Sequence, residues 1–179
     1  MRTLFLQTLL IFLGTTCIAQ PQVPVNANSR VLFKIKNFGI NVNGSFSGLQ
    51  GKIVFDPAST ATAAMDVSVD ANTVNTGNNT RDNHLRKDEY FDVKNYPRIQ
   101  FVSTRIEATS KPGAYLARGR LTIKKITKDV VIPFTATGTA SGYFLKGEFK
   151  INRRDFGVGG NNTISDNLLV CLEVNTRRV

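Results

Sequence analysis

Eight stretches of this chain alternate apolar and polar side chains with a period of two, and that rhythm leaves few folds open. In "RVLFKIK", Val31, Phe33 and Ile35 share one face, with Lys34 and Lys36 on the other. "GSFSGLQGKIVFD" carries Phe46, Ile53 and Phe55, interrupted by glycines at 48 and 51 that permit bulges. "AMDVSVD" sets Met65, Val67 and Val69 against Asp66, Ser68 and Asp70, and "RIQFVS" contributes Ile99 and Phe101. "YLARGRLTIK" is the most regular, with Tyr115, Ala117, Gly119, Leu121 and Ile123 in step. "VVIPFTA" adds Phe134, "YFLKGEFKIN" adds Leu145, Phe149 and Ile151, and "LLVCLEV" closes with Leu168, Val170, Leu172 and Val174. Such alternation marks half-buried antiparallel strands, linked here by short turns such as Lys111-Pro112-Gly113.

One segment breaks the rhythm. Around residues 79–90, Leu85 lacks a strand partner, and Asn79 or Thr80 can cap a helix with Asp82 in its first turn. The expectation is therefore an all-β domain of eight antiparallel strands with one short helix over about residues 79–90. Such strands end economically as a two-sheet sandwich or a closed barrel. Closure removes both sheet edges, and an eight-stranded barrel is wide enough to hold one small ligand. Phe33, Phe46, Phe55, Phe101, Phe134 and Phe149 face inward, with glycines at 48, 51, 119 and 147 in the same strands. Large rings beside absent side chains fit a tapered interior with room in it, and equally a dry core. The pattern does not decide between them.

The chain opens MRTLFLQTLLIFLGTTCIAQ, with Arg2 before an apolar run from Leu4 to Leu13 and small residues near Ala19. This reads as a secretory signal peptide over residues 1–19, too short to be a membrane span. Lipidation of Cys17 is the weaker reading, because Gly14 stands where a leucine is usual. Cleavage leaves 160 residues, 179 less 19: a flexible Pro/Asn tail over 20–28 and a single domain over 29–179. The mature chain keeps one cysteine, Cys171, so it has no internal disulfide and relies on its core. The net charge of +10 attracts anions, and export sets nucleic acid aside as a partner. The location expected is the periplasm or the exterior.

"RDNHLRKDEYFD", residues 81–92, gathers Arg81, Asp82, Asp88, Glu89 and Asp92 around His84, the only histidine. No second histidine and no nucleophile elbow accompany it, so no catalytic residue is assigned. His84 and Asp88 would share a helical face, but two ligands do not make a metal site, and none is assigned. Leu85 and Phe91 are expected to face inward, making the helix a wall of the interior, with Arg81 and His84 the candidates to touch a ligand's head group. Asp155-Phe156-Gly157 has none of the companions of a kinase segment; Gly157 suits a left-handed turn and Phe156 a plug at one barrel end. The sequons Asn78-Asn79-Thr80 and Asn161-Asn162-Thr163 are read as chance.

Several ordered motifs then resemble one family. Arg81-Asp82-x-His84-Leu85 is followed by Tyr90-Phe91-Asp92-Val93 and by Tyr96-Pro97-x-Ile99-x-Phe101-x-Ser103-Thr104. Gly119-x-Leu121-Thr122-Ile123-Lys124, Thr127-Lys128-x-Val130 and Arg154-Asp155-Phe156-Gly157 complete the set. The chain is similar to the YceI-like family of exported bacterial proteins over roughly residues 28–177. It departs from the pattern at Lys125, where glycine is usual, and at Asn37, where many relatives carry histidine. The resemblance implies a lipocalin-like barrel with an elongated apolar cavity and a polyisoprenoid, quinone-like or other long-chain amphiphile as cargo, with no cofactor. The residues expected to line it are Phe33, Ile35, Phe46, Ile53, Phe55, Val67, Leu85, Phe91, Ile99, Phe101, Leu121, Ile123, Phe134 and Phe149. Two alternatives stand beside this non-catalytic carrier. One is a cationic module with a dry barrel that docks on anionic envelope components; the other is an enzyme acting on a lipid through His84. The further partners left open are an anionic membrane surface and a second copy of the chain.

Overall fold

The structure is a computed structural model that describes residues 20–160 and 163–179. The expected leader, Cys17 within it, and the sequon asparagines at 161 and 162 lie outside the described residues. The strands are β1 (Pro21–Pro24), β2 (Arg30–Asn37), β3 (Ile40–Val54), β4 (Ala64–Asn75), β5 (Arg98–Ala108), β6 (Ala114–Ile123), β7 (Ile126–Gly138), β8 (Tyr143–Asn152) and β9 (Asn167–Arg178). Helix α1 (Asn79–Leu85) follows β4. Strands β2 to β9 pair antiparallel in the order β3-β2-β9-β8-β7-β6-β5-β4, and β3 pairs with β4 to close an eight-stranded barrel. Closure pairs the edges that an open sheet would expose.

Each expected strand forms with the expected face inward. On β6, Tyr115, Ala117, Gly119, Leu121 and Ile123 are all buried, while Arg118 and Arg120 are exposed. The fit of rings to glycines is steric: a Cβ on Gly119 would lie 2.7 Å from the Phe101 ring of β5, so the missing side chain is the seat of that ring. On β3 the apolar residues change phase. The register shifts between Ser45 and Gln50, and Gly48 adopts a φ of 67° there, which a residue with a Cβ would resist. Phe46 and Leu49, at an odd spacing, thereby both reach the interior. Arg98 spans the disturbed ladder, donating to the Gly48 carbonyl at 2.8 Å and the Ser68 carbonyl at 2.7 Å.

The N-terminal segment departs from expectation. Residues 20–28, read as a flexible tail, instead form β1 and a 3-10 turn at Asn26–Asn28. β1 pairs with the same two neighbours as β2, β3 and β9, and in the same sense, so β1 and β2 are one strand interrupted by the turn. Two prolines in four residues hide this from any propensity argument. What holds it is a buried pairing: Gln22, 2% exposed, accepts from Thr176 Oγ1 and donates from Nε2 to the Phe55 carbonyl at 3.3 Å.

The helix is shorter than expected. It ends at Leu85, and tight turns continue to Asn95. Its cap is Asn78 rather than Asn79 or Thr80: the Asn78 side chain accepts from the Arg81 N–H at 2.9 Å. Gly157 adopts the left-handed conformation, with φ 63°, and Phe156 is 2% exposed in the core. At the β6–β7 turn the positive φ falls on Lys124, at 53°, and not on Lys125, so the departure at Lys125 leaves the strained position unaffected. Lys124 Nζ donates to the carbonyls of Asp88 at 2.8 Å and Gly157 at 3.2 Å, tying that turn to the helix-bearing end of the barrel.

Candidate functional site

The barrel interior is not filled. A cavity of about 250 Å³ runs along it, lined almost wholly by hydrocarbon from every barrel strand and from the helical segment. At one end Phe55, Tyr115, Phe134 and Tyr143 close it. The Phe55 ring meets Tyr115 edge-on at 4.9 Å and Tyr143 at 5.3 Å, and Tyr115 stacks on Phe134 at 5.4 Å. Phe55 is therefore in the plug and not on the cavity wall, which corrects its expected role. Gln22 of β1 donates to the Phe55 carbonyl, and the ring, 2% exposed, is packed among the other aromatics of the plug.

The other expected residues line the cavity: Phe33, Ile35, Phe46, Ile53, Val67, Leu85, Phe91, Ile99, Phe101, Leu121, Ile123, Phe134 and Phe149. Phe91 meets Phe46 edge-on at 5.3 Å, and Phe46 in turn contacts Phe33 at 5.6 Å. The turns after α1 thus cover the barrel side between β3 and the helix. Toward the plug, lining residues such as Ala117, Ile132 and Leu145 are buried. Toward the helix end, Ile35, Asn37, Val42, Arg81 and Ile164 are half-exposed, and this is the mouth.

Two expected head-group residues part company. Arg81 lines the cavity, donating from Nε to Thr76 Oγ1 at 2.7 Å and from a terminal nitrogen to the Thr76 carbonyl at 2.8 Å. Thr76 in turn donates from its N–H, at 2.9 Å, and from its hydroxyl to Asp82, whose carboxylate is 3% exposed. Asp82 therefore positions Arg81 through Thr76 rather than by a direct ion pair. His84 stands outside the cavity. Its side chain is 55% exposed, its ring meets Tyr90 edge-on at 5.2 Å, and Nε2 lies 3.7 Å from Glu89. The helix stops before Asp88, so the shared face expected for His84 and Asp88 does not exist. Among the described residues no group of three or more His, Cys, Asp or Glu could hold a metal.

Arg153 is the cavity residue that sequence reasoning missed. Two adjacent arginines, Arg153-Arg154, carry no sign of burial in sequence, yet Arg153 is 4% exposed. Its guanidinium donates to the carbonyls of Val158 at 2.7 Å, Ile164 at 3.1 Å and Ser165 at 3.1 Å, with Asp166 at 3.2 Å. A second omission is the β9 wall, Val170, Leu172 and Val174, whose alternation was visible in the sequence. Cys171 points outward between them. Burial, and then the Glu148 carboxylate 3.6 Å from Sγ, push its thiol above the usual range, so it stays protonated near neutrality.

With this geometry in hand, comparison with known proteins is specific. The sequence pattern of the YceI-like domain matches residues 24–176. A UPF0312 protein of Pseudomonas fluorescens is 35% identical over 136 residues, 70% of this chain and 69% of the relative. One of Pseudomonas savastanoi is 31% identical over 143 residues, 76% of this chain and 74% of the relative. Among solved structures, the Campylobacter jejuni YceI protein superposes with a TM-score of 0.70 at 32% identity, covering 78% of this chain and 87% of that one. Burkholderia cenocepacia BcnA gives 0.80 at 24% identity, covering 84% and 98%. A Saccharophagus degradans domain described as polyisoprenoid-binding gives 0.73 at 15% identity, covering 91% and 100%; these last two share the fold alone.

Proposed function

The chain belongs to the YceI-like family, and from that premise we propose that it is an exported, non-catalytic carrier of a long-chain amphiphile, an isoprenoid or quinone-like lipid. The observation that carries this reading is the cavity itself: closed by aromatic rings at one end, hydrocarbon along its length and polar only in places. Apolar burial supplies about 0.8 kcal/mol per CH₂, so a chain threaded toward the plug binds without any precise polar contact. At about 250 Å³ the cavity is smaller than the roughly 300–1,000 Å³ common for ligand sites, so it suits a slender chain whose head group stays at the mouth. There Arg81 offers the guanidinium that Thr76 and Asp82 orient. The leader reading puts the carrier in the periplasm or outside the cell. The polyisoprenoid-binding description of a fold relative is in keeping with this cargo class.

Native mass spectrometry of the protein purified from its own host tests the reading. The expected result is a stoichiometric adduct that organic solvent releases, and its loss in Val67→Trp, which fills the mid-cavity. A clean apo mass, together with no uptake of added prenyl lipid, would overturn it.

A further inference from the structure

The hairpin joining β2 to β3 carries two large apolar side chains that the fold does not use. Phe38 is 75% exposed and Ile40 71%, at the tip of a two-residue turn closed by the Asn37–Ile40 pair. Phe38 has a φ of 48° and Gly39 of 77°, positive at both central positions, as in type I′ turns. That turn favours Asn-Gly, and a bulky residue at the first position is strained. The chain therefore places an aromatic ring where folding gains no burial from it and the backbone opposes it, a pattern associated with functional sites.

The surroundings indicate what the tip meets. It projects from the mouth: Ile35 and Val42, the flanking inward residues of the same hairpin, line the cavity, and Asn37 bridges to Ile164 on the rim. Along β3 the inward apolar residues thus lead from Val42 on the cavity wall to Ile40 at the tip, with Asn37 beside them on β2. Behind the tip the outer barrel face is cationic. Lys34 and Lys150 both pair with Leu169, one from each side, and Lys36 stands two residues nearer the tip; all three lysines are exposed. Of the carboxylates on this side, Asp166 is engaged by Arg153 and Arg154 and Glu173 by Lys146, and Glu148, two residues from Lys150, leaves the lysines in excess. The whole chain carries +10.

The geometry points to the β2–β3 hairpin as a membrane-docking element, which inserts Phe38 and Ile40 into an anionic phospholipid surface and sets the cavity mouth against it. This deepens the carrier reading and rests on it, because docking there lets a lipid chain pass between bilayer and cavity without crossing water. Insertion of a side-chain pair combines with attraction of about fivefold per cation near an anionic leaflet.

The test uses co-sedimentation with vesicles of phosphatidylglycerol and phosphatidylcholine in equal parts, against pure phosphatidylcholine. Wild type is expected to bind the anionic vesicles, and the double variant Phe38→Asn, Ile40→Ser to bind them roughly 100-fold more weakly. Phe38→Asn restores the Asn-Gly turn, so the variant is expected to melt no lower than wild type, which separates docking from misfolding. Since the chain has no tryptophan, Phe38→Trp gives a single tryptophan, excited selectively over the four tyrosines, whose fluorescence should shift to the blue on anionic vesicles. Equal binding by the double variant, or no binding by wild type, would overturn the proposal. So would a wild-type dimer that the variant converts to monomer, since the tip would then be an interface between copies. Native adduct mass is read in parallel. Cargo without vesicle binding removes the docking and leaves the carrier; vesicle binding through the tip by a protein that never holds lipid removes the carrier.

Discussion

At the level of single residues, the polar chain from Asp82 through Thr76 to Arg81 is the feature with most at stake. Asp82 is buried and accepts both the backbone N–H and the hydroxyl of Thr76, which itself accepts from Arg81. Asp82→Ala would leave two donors of half-buried Thr76 without their acceptor, at up to about 1–3 kcal/mol. The expected outcome is a lower urea midpoint with an unchanged m-value, with Asp82→Asn recovering part of the loss through its remaining acceptor. If the midpoint of Asp82→Ala matched that of wild type, the carboxylate would not be holding Thr76. In sequence, Asp82 looked like a helix-start charge and His84, with Arg81, like a contact for a ligand's head group. The structure exchanges their importance, because a seven-residue helix turns one face to the barrel and the other to water, and short polar segments do not announce which is which.

Strands differ in how plainly they spoke. β6 was readable residue by residue because one face meets the interior and the other meets solvent along its whole length. β3 was readable only in part, since its bulge shifts the phase between Phe46 and Leu49. β1 was not readable, because its place in the sheet comes from a gap between β3 and β9 that exists only once the barrel has closed. The β5–β6 pair carries a sharp expectation. Gly119→Ala would push a methyl group against the Phe101 ring and the Val102 carbonyl, costing about 1–3 kcal/mol by overpacking. Combining it with Phe101→Leu should return part of the loss; additive losses in thermal melts would show that the ring is not what the glycine accommodates.

For the whole molecule, two kinds of attraction separate by salt. Exposed charges are screened over about 30 Å at 0.01 M and about 8 Å at physiological ionic strength, whereas cavity binding rests on apolar burial. Uptake of a prenyl chain is therefore expected to change by less than about twofold between these conditions, while vesicle association through Lys34, Lys36 and Lys150 weakens severalfold. Titrations at the two salt concentrations check this, and a steep salt dependence of lipid uptake would place the lipid on the outer face. The sequence by itself determined the strand count of the barrel, the inward faces, the single short helix and the cationic exterior. Each follows from alternation and composition, which are local. Three features were decided only by tertiary structure: that Phe55 plugs the barrel, that Arg153 is buried against backbone carbonyls, and that space remains between the opposing walls. Whether inward side chains meet or leave a gap depends on strand stagger and on which ring lies over which glycine, and these distances are set between residues far apart in the chain.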